Sequence, residues 1–264
     1  MRLSDKEDLR IPDFTMQKFA LIGNNVSKSL SPSLFRAAYP DTDWTYGLIE
    51  SDDAAKALDI FLSEGYRGAN ITSPFKESFM NFCDFHDEIS KKTGVTNLIL
   101  NNEGELTSYN TDYYGVKDPL IARGLKSGKA VVAGAGGAAR AAVLALKDLG
   151  MEVTVVNRTV EKAAELAQQF DVSYQPEDHI SDLLKISNLL VYTIDVPLIN
   201  AQTIDFSHLI IFEANYKNPN LNTNKCIEYI SGREWLVSQA VPSFRIFTGI
   251  QPDLKALKMV GGNC

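Results

Sequence analysis

Small residues at a fixed spacing carry the plainest chemistry in this chain. The run Val131-Val132-Ala133-Gly134-Ala135-Gly136-Gly137-Ala138-Ala139-Arg140 reads as a hydrophobic strand, a tight turn and the start of a helix. Gly134, Ala135, Gly136, Gly137 and Ala138 let the backbone approach a pyrophosphate at the helix N-terminus, where unpaired N–H groups favour an anion. Such a turn also serves ordinary strand–helix packing, so its context decides. The next expected strand ends in Asn157-Arg158-Thr159, not in Asp or Glu. A carboxylate there suits a free ribose 2′-hydroxyl, whereas a guanidinium suits a 2′-phosphate, which its planar fork binds with charge assistance. Lys162 adds charge nearby. The pattern favours NADP over NAD, against the plainer reading of Arg158 as a solvated arginine.

Four further segments lie outside that unit. They are Gly23-Asn-Asn-Val-Ser-Lys-Ser29-Leu-Ser31-Pro32, Gly68-Ala-Asn70-Ile-Thr72-Ser-Pro-Phe-Lys76, Thr96-Asn97 and Asn110-Thr111-Asp112. Each places hydroxyls, amides or a charge at the C-terminal end of an expected strand, where open α/β sheets bind ligands. Taken singly, each has a plain structural reading. Ser31 can cap a helix, Asn70 and Thr72 can be turn residues, Lys76 a solvated lysine and Asp112 an N-cap.

The elements that must position these residues follow from pattern. Residues 19–24 read as a buried strand, 31–39 as a helix with a serine N-cap and Pro32 at its first position, and 44–50 as a strand. A helix over 52–63, a strand over 68–72 and a helix starting at 74–82 follow. Residues 86–93 read as helical, and 96–101 with 106–109 as a hairpin. This alternation predicts a mostly parallel sheet. A connecting helix over 110–124, with Pro119 inside it, leads to the glycine turn. Beyond the turn, helices are expected over 138–149 and 160–170, with strands over 152–156, 189–194 and 209–214, a Rossmann-type order. A late helix over 233–247 carries Pro242, and a last one covers 253–259. Residues 1–15 read as a loose extension.

Composition removes other classes. With 264 residues and a net charge of −7, the chain has no electrostatic footprint for nucleic acid or an anionic membrane. No apolar run is long enough to span a bilayer, and no secretory signal is expected from the opening residues. Cys83, Cys226 and Cys264 are odd in number and lack CxxC spacing, so they read as reduced thiols of a cytoplasmic protein. His86, His179 and His208 are scattered, and no metal site is expected.

In this order, the segments and the cofactor unit resemble the shikimate dehydrogenase family over about 19–253. The marks are S-x-S-P, G-A-N-x-T-x-P-F-K, N-T-D, G-A-G-G-A-x-R and N-R-T, then Tyr216 and Leu236-Val-Ser-Gln239-Ala240 beside the family's M-L-V-x-Q-A. The resemblance implies an α/β protein of two domains. A substrate-binding domain would comprise 1–111 and 233–264, and a Rossmann-type NADP domain 112–232. It implies NADPH-dependent reduction of the ring ketone of 3-dehydroshikimate to shikimate, with Lys76 and Asp112 as the catalytic pair. A partly desolvated lysine can give a proton to the developing alkoxide and stabilise its charge. By the same resemblance, Ser29, Ser31 and Tyr216 hold the substrate carboxylate, and Asn70, Thr72, Asn97 and Gln239 read the ring hydroxyls. The implied partner is a small molecule, with neither nucleic acid nor membrane, for a monomer or homodimer.

Three places depart from the family pattern. Val191-Tyr192-Thr193-Ile194-Asp195-Val196-Pro197 lacks the usual glycine loop, Glu234 and Trp235 stand for a glycine and a methionine, and Asn25 stands for a proline. The first two flank the expected nicotinamide end. Rival readings are a paralogue acting on quinate or another ring acid, and a catalytically idle sensor of NADP or a metabolite. A methylene-tetrahydrofolate dehydrogenase is a weaker rival, which S-x-S-P and N-T-D do not favour.

Overall fold

The computed structural model describes residues 16–262, so the extension read over 1–15 and Cys264 lie outside the described residues. The first half alternates β1 (Lys18–Gly23), α1 (Ser31–Ala38), β2 (Thr45–Glu50), α2 (Ala54–Ser63), β3 (Gly68–Ile71), β4 (Phe85–His86), α3 (Glu88–Thr93), β5 (Leu98–Asn102) and β6 (Glu105–Tyr109). Its six strands form a sheet in the order β2-β1-β3-β5-β6-β4. Three of its strand pairs are parallel, and the β3–β5 and β5–β6 pairs are antiparallel.

After α4 (Asp112–Ala122), a second unit runs through β7 (Gly128–Ala133), α5 (Gly137–Asp148), β8 (Met151–Asn157), α6 (Val160–Phe170), β9 (Ser173–Pro176), α7 (Ile180–Lys185), β10 (Leu189–Tyr192), β11 (Ile210–Glu213) and β12 (Glu228–Ile230). These strands are all parallel, in the order β12-β11-β10-β7-β8-β9. That is the doubly wound dinucleotide-binding order, with its switch point between β7 and β10. The chain closes with α8 (Gly232–Thr248) and α9 (Leu254–Gly261). No helix among the described residues is long and apolar enough to cross a membrane.

Alternation along the strands explains the layers. On β1, Phe19 faces the core shared with α1, α8 and α9, while Ala20 and Ile22 face the core under α2. β5 does the same, with Leu98 and Leu100 on one side and Ile99 on the other. Side-chain caps fix helix starts: Asp53 accepts from the N–H groups of Ala55 and Lys56 at 2.8 and 3.0 Å, and Asp87 from Ser90 at 2.7 Å.

Several local expectations need correction. Ser31 is not the N-cap of α1. Leu30 holds that place, its carbonyl accepting from Leu34 N–H at 3.0 Å, and Ser31 is the first helical residue. Residues 74–82 make a turn and a 3-10 helix over Ser78–Phe82 instead of an α-helix. The cause is tertiary: Thr96 N–H takes the Lys76 carbonyl at 2.9 Å, and Met80 N–H bonds to Glu77 O. His86 lies in a short strand, and α3 begins two residues later behind the Asp87 cap. The pattern missed β9, α7 and β12.

Phe247 is fully buried and stacks on Phe19 with ring centroids 4.9 Å apart, and a Cβ at Gly68 would come within 2.6 Å of its ring. Phe247→Ala is expected to lower unfolding free energy by about 3–5 kcal/mol in a urea titration.

Candidate active site

The C-terminal ends of β1 and β3, the start of the antiparallel β5 and the first turns of α4 and α8 converge on a cavity of about 240 Å³, so Thr96-Asn97 precedes its strand instead of following one. All nine residues named for catalysis and substrate binding line it: Ser29, Ser31, Asn70, Thr72, Lys76, Asn97, Asp112, Tyr216 and Gln239. They come from six separate stretches of chain.

Lys76 follows the turn after β3, anchored by the buried Phe75 and by the bond from Thr96 N–H to its carbonyl. Its Nζ donates to Asp112 Oδ2 at 2.5 Å. Asp112 opens α4, where the helix dipole favours a carboxylate, and its N–H bonds to Asn110 Oδ1 at 3.2 Å. The other oxygen, Oδ1, accepts the indole N–H of Trp235 at 3.1 Å. Both carboxylate oxygens therefore have a fixed donor, and the charge pair is held in one geometry.

Behind this pair lies an amide and hydroxyl network. Asn97 Nδ2 donates to Thr111 Oγ1 at 2.9 Å and to Gln239 Oε1 at 3.3 Å, while its Oδ1 accepts from Thr111 N–H at 2.7 Å. Asn70 Nδ2 donates to Asn97 O and Ser243 Oγ, and its Oδ1 accepts from Tyr46 Oη–H at 2.8 Å. Burial pushes the Tyr46 phenol up, with a bond to Ser31 offsetting only part of the rise, so it stays a neutral donor. The Asn70 and Asn97 donors are thus committed, and a ligand hydroxyl must exchange with one of these bonds or use a remaining lone pair. Ser29 Oγ donates to Ser31 Oγ at 3.1 Å and accepts from Ser31 N–H at 3.2 Å. Thr72 and Tyr216 have no side-chain hydrogen bond among the described residues and are free to meet a ligand.

Sequence reasoning missed Tyr46 and Ser243, named Thr111 only within N-T-D without a role, and treated Trp235 only as a departure. Trp235, Gln239 and Ser243 are four residues apart on α8, which puts them on one stripe. That spacing was the available signal. Glu234, the other departure, pairs with Arg123 through Oε1 at 2.6 Å and Oε2 at 3.0 Å, fastening α8 to the end of α4.

A second cleft, of about 660 Å³, adjoins the first through Thr72, Lys76, Ala138 and Ala214. Ala135, Gly136, Gly137, Ala138 and Lys162 line it. No side chain caps α5, and a Cβ at Gly136 would project into open space, so the first-turn N–H groups lie open to an anion. Gly134 does not line the cleft. It turns the chain at φ +114°, where a Cβ would come within 2.2 Å of Thr193 Oγ1. Asn157 ends β8, its Nδ2 donating to Thr159 O at 2.9 Å, and Arg158 is exposed beside it. These residues fit a dinucleotide with a 2′-phosphate: open N–H groups for the pyrophosphate, two cations near β8, and no carboxylate at the strand end.

The loop that brings Tyr216 to the cavity is held by Glu213, fully buried at the end of β11. Its Oε1 accepts from Asn220 N–H at 2.5 Å, and Oε2 accepts from Leu221 N–H at 3.1 Å and Tyr229 Oη–H at 2.7 Å.

Comparison with known proteins gives two family matches. Residues 21–99 match the model of the shikimate dehydrogenase substrate binding domain, and residues 120–206 that of shikimate / quinate 5-dehydrogenase. A Natronomonas pharaonis protein named shikimate dehydrogenase (NADP(+)) is 34% identical, the alignment covering 92% of this chain and 99% of the relative. A protein of the same name from Methanosarcina mazei is 32% identical over 92% of this chain and 96% of its own. The Thermus thermophilus shikimate 5-dehydrogenase, solved in complex with NADP(H) and shikimate, superposes with a TM-score of 0.80 at 28% identity, covering 93% of this chain and 98% of that one.

Glu213→Gln is expected to turn amide hydrogens toward groups that themselves donate. Unfolding free energy should fall by about 2–3 kcal/mol in denaturant titration.

Proposed function

From the premise that this chain belongs to the shikimate dehydrogenase family, we propose that it reduces 3-dehydroshikimate to shikimate with NADPH, reversibly, on the route to chorismate and the aromatic amino acids. The observation that carries the reading is the Lys76–Asp112 pair, set in a polar cavity that opens onto the glycine turn.

When bound, the reduced nicotinamide supplies the hydride. The chain's residues do the rest. The Lys76 ammonium donates to the ketone oxygen as charge develops there and passes it a proton. Asp112 holds the ammonium and accepts from a ring hydroxyl, while Trp235 fixes the direction of its carboxylate. Ser29, Ser31 and Tyr216 receive the carboxylate of the ring acid. Asn70, Thr72, Asn97 and Gln239 read its hydroxyls, and the committed bonds among them penalise a ring that lacks one. Gly134, Ala135, Gly136, Gly137 and Ala138 receive the pyrophosphate, and Asn157, Arg158, Thr159 and Lys162 the adenosine 2′-phosphate end. Substrate binding belongs to 1–111 with 233–264, and cofactor binding to 112–232, a division supported by the two separate sheets. We further propose that the protein acts in the cytoplasm as a monomer or homodimer, the latter checked by light scattering.

The test is NADP reduction by the purified chain with shikimate, run beside quinate and NAD. Turnover with shikimate and NADP is expected, and its absence while NADP or shikimate still binds would sink the reading in favour of a sensor. Lys76→Ala should lower kcat by roughly 10²–10⁴-fold with shikimate binding retained. Trp235→Phe, which removes only the donor to Asp112, should lower kcat roughly tenfold and leave KM within about threefold.

A further inference from the structure

We propose that Lys217 is a carboxylate-binding residue of the substrate cavity, and that Lys28 and Arg233 extend it into a cationic mouth that gathers anionic ring acids. The proposal rests on the functional reading above and names a cation where the sequence pointed only to neutral donors.

Three charged side chains line the cavity: Lys76, Asp112 and Lys217. The first two cancel each other at 2.5 Å. Lys217 has no carboxylate within 4.0 Å among the described residues; its Nζ reaches only the Asn25 carbonyl, at 3.4 Å. The cavity therefore carries one uncompensated positive charge. It lies at the end occupied by Tyr216 and by the loop that carries Ser29, the end assigned to the substrate carboxylate.

A recess of about 440 Å³ continues outward from that end, sharing Asn25, Tyr216 and Lys217 with the cavity. It adds Lys28 and Arg233, so its lining holds three cations and no carboxylate. Among the described residues Lys28 has no ion pair, and the one hydrogen bond Arg233 donates goes to the Gly261 carbonyl, at 3.2 Å. The whole chain bears a net charge of −7, so this clustering runs against the average of its surface. A mouth of one sign leading into a cleft focuses the field and raises the encounter rate of the opposite charge. The final pairing is charge-assisted, because an ammonium meets a carboxylate already engaged by hydroxyls.

The position of Lys217 is defined from both sides. Glu213 folds the loop on which it sits, and Asn215 Oδ1 accepts its backbone N–H at 3.1 Å. On the opposite wall, Glu50 Oε2 accepts the N–H groups of Val26 and Ser27 at 3.0 Å each and shapes the loop that carries Lys28 and Ser29. A fixed mouth of this kind selects the anionic form of a substrate over its neutral analogues.

The experiment compares the wild-type chain with Lys217→Met and Lys217→Arg, using shikimate and its methyl ester as probes at low and high salt. In Lys217→Met, KM for shikimate should rise roughly three- to tenfold at low salt, with kcat within about twofold and KM for NADP unchanged. The difference should shrink at high salt, Lys217→Arg should restore most of it, and Lys28→Met should act in the same direction more weakly. By calorimetry, wild type should prefer acid to ester, and Lys217→Met should lose a large part of that preference, the hydroxyls of Ser29, Ser31 and Tyr216 keeping the rest. An unchanged KM at low salt, or a loss shared equally by acid and ester, overturns the proposal. If wild type turns over no shikimate, the functional reading fails separately, and acid–ester preference in binding still decides the role of Lys217.

Discussion

The site depends on one charge pair held away from bulk water. Taking an ammonium and a carboxylate out of solvent costs several kcal/mol unless both keep further partners. Asp112 keeps two, the Trp235 indole on its free oxygen and the positive end of α4. Lys76 keeps its hydrocarbon stem packed on the start of α5, where a Cβ at position 137 would come within 2.9 Å of its Cδ. One pair thus ties the turn after β3 to the starts of α4, α5 and α8, and these belong to both sheets. Placing the two halves of the molecule and placing the reacting groups are a single constraint.

α8 carries that constraint through the interior. Its first turns belong to the core of the second sheet, where Trp235 meets Phe212 with centroids 5.3 Å apart. Its later turns belong to the core of the first, through Phe244 and Phe247. Between them, Gln239 faces the cavity and the fully buried Ser243 lies behind it, and the two close the network of Asn97, Thr111 and Asn70. A helix shared by two cores leaves little freedom for the polar stripe it presents. Asn70 and Asn97 can therefore remain committed to protein bonds and still be in place for a ligand.

The parts of the site legible in the sequence were those whose chemistry is local. The small residues before α5, the paired serines and N-T-D each announce a backbone conformation or a donor set within a few residues. What stayed hidden depends on partners far along the chain. Tyr46 reaches Asn70 across β1, 24 residues away, and Trp235 reaches Asp112 from 123 residues away. The 74–82 segment looks helical by pattern, yet the Lys76 carbonyl is taken by Thr96, and the helix tightens to 3-10. β9 is almost wholly exposed and β12 has three residues, so neither shows the apolar alternation that marks a strand. Lys217 carried no signal, because a surface lysine gains meaning only when the loop behind it is folded.

The departure at 191–197 is held by bonds of its own. The segment has no glycine, but Thr193 donates its hydroxyl to Ala133 O at 2.8 Å and its N–H to the same oxygen at 3.0 Å. Tyr192 donates to Val196 O at 2.6 Å and closes the loop on itself. Thr193 then occupies the space in which a side chain at 134 would stand, which demands glycine in the turn at that φ. The loop after β10 and the turn after β7 meet at the switch point of the sheet, where a dinucleotide must lie. The segment at 191–197 is thus fixed by its own bonds to the turn after β7, and none of them involves Lys76 or Asp112.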